Sequence, residues 1–151
     1  MRTLLLSFKY AFRGLGFALR ERNMRIHVVI AGYIVLLGFM LGISACEWCA
    51  VFLSCALVIG TECMNTAIEK LCDYVCDETN VLIGNIKDIA ASAVLVSAIT
   101  AVAVGSIVFI REGIIDELVL MQPNKRFILL SETVLFFFIL FYNMFWRRDN
   151  D

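Results

Sequence analysis

Proline occurs once in this chain of 151 residues, and histidine once. Few Ser/Gly clusters and a single proline leave little room for flexible linkers. His27 has no histidine partner, so it makes no metal site by itself. Charge is nearly balanced at −1, which gives no overall basic signal for nucleic acid. Gly14-Leu15-Gly16 lacks a third glycine and a preceding strand, so it is no dinucleotide fingerprint. There is no P-loop, no protein-kinase glycine loop, no long repeat and no low-complexity segment. The N-terminus does not read as a cleavable signal, because Lys9, Arg13 and Arg20 interrupt its apolar residues. Six cysteines, at 46, 49, 55, 63, 72 and 76, lie in or beside apolar helices and read as buried or free thiols. Cys46-Glu-Trp-Cys49 has neither a second ligand pair nor a βαβ setting.

Apolar residues are abundant, at 61%, against about half in soluble domains. Several apolar runs approach bilayer length, so the chain reads as a small all-α polytopic membrane protein. Residues 1–20 form an amphipathic surface helix: Leu4, Phe8, Phe12, Leu15 and Leu19 lie on one stripe, with Lys9, Arg13 and Arg20 on another. Spans are expected at 28–43, 48–73 and 89–110. Polar links are expected at 44–48 and 74–86. The pair Gly38/Gly42 inside the first span permits close helix packing. An extension, 112–151, holds a fourth apolar run at 127–146, flanked by Lys125-Arg126 and Arg147-Arg148, with Tyr142 and Trp146 as an aromatic belt and Glu132 one turn inside. The first 27 residues carry six Lys/Arg, which places the N-terminus in the cytoplasm.

One stretch does not fit a plain span. Glu62, Asn65, Glu69 and Asp73 are spaced 3, 4 and 4 apart, and on a helix they share an arc of roughly 80°. Asp73 suits a solvated helix end; Glu62 and Asn65 do not. If Trp48 marks one interface, Glu62 lies about 21 Å further along and Glu69 about 31 Å. In a core about 30 Å thick, Glu62 is inside and Glu69 at the far surface. Ionisable groups at such depth are functional candidates. Composition and spacing by themselves give an intramembrane acidic site, and a relay of ions or protons is one use of it.

The run Glu62-x-x-Asn65-Thr66-Ala67-Ile68-Glu69-x-x-x-Asp73, followed by Lys87-Asp88-x-Ala90-Ala91-x-Ala93-Val94-Leu95, resembles the bacterial membrane-integral diacylglycerol kinase and undecaprenol kinase family. Ser7-Phe8-Lys9-Tyr10-Ala11-Phe12-Arg13-Gly14 and Glu21-Arg22-Asn23-Met24-Arg25-Ile26-His27 match its N-terminal part. The resemblance covers about residues 5–110 and none of the extension. It implies three membrane helices plus a surface helix, a homotrimer with sites between protomers, and Mg²⁺- and ATP-dependent phosphorylation of a lipid hydroxyl in the bacterial plasma membrane. By motif position it implies Glu62 as general base and lipid contact, with Arg25 also at the lipid. Glu21 and Glu69 would bind Mg²⁺. Asn65, Lys87 and Asp88 would organise the nucleotide beside Glu21 and Glu69, and Tyr10, Glu78, Thr79 and Asn80 would line its site. The family's arginine near the N-terminus has no counterpart in register; Arg2 stands nearby. The variant Glu-Arg-Asn-x-Arg-Ile-His is more similar to undecaprenol kinases than to diacylglycerol kinases, so undecaprenol is the expected acceptor and diacylglycerol the alternative.

Overall fold

A computed structural model describes residues 2–76, 80–110 and 120–145, with side chains from 4 to 142 within these ranges. Five helices follow in order, and no strand occurs among the described residues: α1 (Arg2–Ala18), α2 (Arg22–Leu41), α3 (Ala45–Val75), α4 (Val81–Phe109) and α5 (Pro123–Phe145).

Helix α1 turns its small residues, Ala11, Gly14 and Ala18, toward α3. Its apolar stripe stays uncovered, with Leu4 63%, Phe8 56% and Phe12 72% exposed, the surface an interfacial helix offers to lipid. The chain then reverses in a tight turn. The N–H groups of Leu19, Arg20 and Glu21 donate to Leu15, Phe17 and Ala18 carbonyls at 3.0–3.1 Å. Ala18 and the fully buried Met24 pack the turn's inside.

The second helix starts at Arg22, six residues before the expected span. The polar cluster up to His27 is therefore the opening of α2 and no approach to it. It ends at Leu41, so Gly42 is not inside the span either. Gly42 adopts φ 64°, ψ 46°, the left-handed conformation that only glycine takes freely, and its N–H donates to the Gly38 carbonyl. Gly38 alone serves close packing. A Cβ there would come 2.9 Å from Trp48 Cη2 and 3.0 Å from Ile43 Cδ1.

Ser44 begins α3 with a capping box. Its N–H donates to Glu47 Oε2 at 2.6 Å, and the Glu47 N–H donates to Ser44 Oγ at 3.4 Å. The expected link at 44–48 is correspondingly shorter, because Cys46, Glu47 and Trp48 are already helical. At 1.5 Å per residue the 31 residues of α3 extend about 46 Å, against a hydrocarbon core of about 30 Å. Its polar C-terminal turns have room to stand beyond the core.

Asn80 opens α4 by accepting the Leu82 N–H on its side-chain oxygen at 2.8 Å. The link expected at 74–86 thus shrinks to 76–80. Asn80, Gly84 and Asn85 are loop-forming residue types, yet Asn80 is a cap, and Gly84 and Asn85 lie on an exposed helical surface.

Helices α3 and α4 pack side by side, with α2 against α3 and α5 against α2. Ile43, Val51 and Val108 form a core where the α2–α3 joint meets the end of α4, with Trp48, Val104 and Phe109 around it. Among the described residues three helices, α2, α3 and α4, are long and apolar enough to cross a membrane. Much of their surface is uncovered, as at Leu53, Val102 and Ile107, 69–78% exposed.

Candidate active site

The helical period puts the acidic stripe of α3 on one side, as its spacing requires, and burial divides it. Glu62 is 3% exposed and Asn65 4%, while Asp73 is exposed. Asn65 Nδ2 donates to Glu69 Oε1, one turn on, at 3.0 Å. Asn65 Oδ1 is buried with no hydrogen-bond partner. A buried carbonyl oxygen left open in this way asks for a donor or a cation.

Two ion pairs bring neighbouring elements to this stripe. Lys87 of α4 donates to Asp73 Oδ1 at 2.5 Å. Glu21, in the turn between α1 and α2, meets Lys70 Nζ at 2.8 Å. A cavity of about 620 Å³ opens between α1 and α3 here, lined by Arg20, Glu21, Cys63, Thr66 and Lys70 together with the small-residue side of α1. Sequence reasoning assigned no role to Lys70 or Thr66. Lys70 lies about 100° from Glu69 and so off the acidic stripe, and its partner is 49 residues away in sequence. The only clue was that a carboxylate in the turn, Glu21, needs a counter-charge.

The structure therefore gathers Glu21, Asn65, Glu69 and Lys87 around the C-terminal half of α3, with Glu62 deeper along the same stripe. The other expected residues stand apart. Tyr10 is exposed on α1, with the Arg13 guanidinium 5.4 Å from its ring centre. Asp88 is exposed and has no ion pair among the described residues. Asn80 is occupied in capping α4. Arg25 turns back to the Arg20 carbonyl and helps close the turn; its Nε is buried without a partner. Glu78 and Thr79 lie outside the described residues, as does the side chain of Arg2. Glu132 is on α5, the helix that packs on α2.

The donor set is hard and sparse. Among the described residues no three His, Cys, Asp or Glu side chains cluster tightly enough to hold a metal ion. By donor type, the carboxylates of Glu21 and Glu69 and the open amide oxygen of Asn65 would suit a Mg²⁺ ion that takes one or two protein carboxylates and its remaining oxygens from phosphate and water. They do not match a cation caged wholly by protein.

Comparison with known proteins shows the family. The family described as prokaryotic diacylglycerol kinase matches residues 9–109. The chain is 35% identical over 105 residues to an undecaprenol kinase of Bacillus subtilis, covering 69% of this chain and 85% of that protein. It is 36% identical over 104 residues to a diacylglycerol kinase of Synechocystis, covering 68% of this chain and 59% of that one. A diacylglycerol kinase of Haemophilus influenzae is 31% identical over 108 residues, covering 70% and 92%. No solved structure matches the chain significantly. The match spans the second half of the surface helix, the turn that bears Glu21 and the three long apolar helices. The chain belongs to the prokaryotic diacylglycerol kinase family, and it is a membrane-integral lipid kinase with a lipid and ATP as its substrates.

Proposed function

We propose that the chain transfers the γ-phosphate of ATP to the hydroxyl of undecaprenol, giving undecaprenyl phosphate, with diacylglycerol as the alternative acceptor. Glu62 carries this reading, because it is a carboxylate 3% exposed in a helix apolar enough to span a membrane. A group so placed meets a lipid hydroxyl below the surface while the nucleotide stays at the surface. Glu62 accepts the hydroxyl proton as the lipid oxygen forms its bond to the γ-phosphorus. The bond from that phosphorus to the β–γ bridging oxygen breaks, and ADP leaves.

Glu21 and Glu69 would hold Mg²⁺, which when bound neutralises charge on the phosphates. Asn65 orients Glu69 through the 3.0 Å hydrogen bond and offers its open Oδ1 to the nucleotide side of the site. Lys87 supplies a point charge to the terminal phosphates once it exchanges Asp73 for them. Asp88, Tyr10 and the 78–80 segment line the nucleotide site in this reading, and Arg25 meets the lipid.

Identity does not choose between the acceptors, since 35% to an undecaprenol kinase and 36% to a diacylglycerol kinase are equivalent. The preference for undecaprenol rests on Glu21-Arg22-Asn23-x-Arg25-Ile26-His27. The same reading includes a homotrimer with sites between protomers, a bacterial plasma-membrane location with the N-terminus in the cytoplasm, and α5 as a fourth, peripheral span. The lipid-kinase core would be residues 1–111 and the extension 112–151. Phosphate transfer from labelled ATP in detergent–lipid micelles tests the acceptor, with undecaprenol and diacylglycerol offered separately and Glu62→Gln alongside. Faster labelling of undecaprenol is expected. Faster labelling of diacylglycerol transfers the assignment to glycerolipid phosphorylation.

A further inference from the structure

Glu21 stands at the N-cap of α2, where a short polar side chain ordinarily bonds the first N–H groups of the helix. Its carboxylate makes no such bond. It reaches across to α3 instead, to Lys70 Nζ at 2.8 Å. The backbone around it is fixed: the 3.0 Å bond from its own N–H to Ala18, the Arg25 N–H on its carbonyl at 3.2 Å, and the fully buried Met24 leave the side chain as the movable part. Among the described residues, Lys70 makes the one ion pair between this turn and α3. Lys70 also follows Glu69 directly in sequence. The ammonium thus ties the carboxylate of the turn to the α3 surface, about 100° around the helix from the Glu69 stripe.

Stability does not account for the pair. Lys70 is 67% exposed and Glu21 36%, and pairs so open to solvent add little to folding. Position is what the contact determines.

We propose that Lys70 is a positioning residue: it holds the Glu21 carboxylate on the α3 surface beside Glu69, ready for a divalent cation. This rests on Glu21 and Glu69 being the cation ligands. Lys70 touches neither substrate nor cation in this role. It acts as the outer partner that orients a ligand, and losing such partners costs metal affinity.

The test is Mn²⁺ binding to the purified protein in micelles, read from loss of the free-ion EPR signal without nucleotide, for the parent, Lys70→Met, Lys70→Arg and Glu21→Gln. Lys70→Met is expected to weaken Mn²⁺ binding about tenfold, the low end for an orienting partner. Lys70→Arg, which keeps charge and reach, should restore it to within about twofold of the parent, inside that margin. In the kinase assay, the KM for metal–ATP should rise in Lys70→Met with far less change in kcat.

Unchanged Mn²⁺ affinity in Lys70→Met, with Glu21→Gln impaired, overturns the positioning role and leaves the ligand assignment standing. Tighter binding in Lys70→Met also overturns it, since Lys70 would then be a competitor of the cation. Should Glu21→Gln bind Mn²⁺ and turn over like the parent, it is the ligand assignment that fails, and the role of Lys70 with it.

Discussion

The two ends of α3 are built by different rules. At its N-terminus every device is internal and complete. Gly42 ends α2, Ser44 and Glu47 cap α3 reciprocally, and Trp48 lies against Gly38 with Phe39 and Phe52 4.7 and 5.1 Å from its ring. Ile43, Val51 and Val108 close the core behind it. Toward its C-terminus Glu62, Asn65 and Thr66 are buried polar groups, ion pairs reach to the α1–α2 turn and to α4, and one buried acceptor, Asn65 Oδ1, is left open. One end satisfies itself, whereas the other is arranged for something that arrives. The same helix therefore serves as scaffold and as site, and substitutions at its two ends should separate stability from activity.

Glu62→Gln is the severest way to try that separation. It keeps volume and polarity at a buried position but cannot take a proton. Activity toward either lipid should fall by about 10²–10⁴-fold, the span of general-base contributions. The melting temperature should stay near that of the parent. A variant that unfolds, or one that keeps full activity, would merge the two ends again.

Asn65→Leu sharpens the comparison. Leucine removes the open Oδ1 along with the donor to Glu69 and fills a similar volume. Removing the unpaired Oδ1 lifts a desolvation cost, and Glu69, only half-buried, can turn the Oε1 that loses its donor to water. Thermal stability should be unchanged or higher, with activity down about 10²-fold if Asn65 both orients Glu69 and meets the nucleotide, as outer partners of metal ligands do. A large loss of stability would make Asn65 structural and the site less open than its geometry indicates.

The opposite result is expected at the other end. Gly38→Ala drives a Cβ against Trp48 and Ile43, which the surrounding rings hold in place. Overpacking of this kind costs about 1–3 kcal/mol. Unfolding in micelles should show it, while KM for both substrates stays at the parent value. A shifted KM would mean that the joint transmits strain along α3 to the site.

How far these features can be read from the residues follows the same division. Helical period alone places Glu62, Asn65 and Glu69 together, because they share one element. Burial of the first two is legible from the apolar run around them. Contacts between elements are not legible: nothing local in Glu21 or Lys70 announces the other. Helix ends were misjudged where hydropathy stood in for geometry. Apolarity marks where lipid would begin, and helices run past that line, as Arg22–His27 and Val81–Ile86 do. Gly42 is a further case, since one residue type serves packing inside a helix and reversal at its end, and only the backbone distinguishes the two.

The weakest coupling expected is between the site and α5. That helix meets α2 through Tyr33, whose hydroxyl lies 3.0 Å from Thr133 Oγ1 and whose ring stacks on Phe136 with 4.3 Å between centres. The matched family region ends at residue 109, before α5 begins. Tyr33→Phe removes one hydrogen bond and keeps the stack, so it should cost about 0.5–1.5 kcal/mol or less. Deleting residues 114–151 should leave lipid phosphorylation within about twofold, since each group assigned to the chemistry lies before residue 110 and distant sites act independently. Activity assays on both variants in the same micelles check this. Loss of activity on deletion, with the remaining helices still folded by circular dichroism, would make the extension part of the working site. The division within α3 would then be a division between α3 and the rest of the chain.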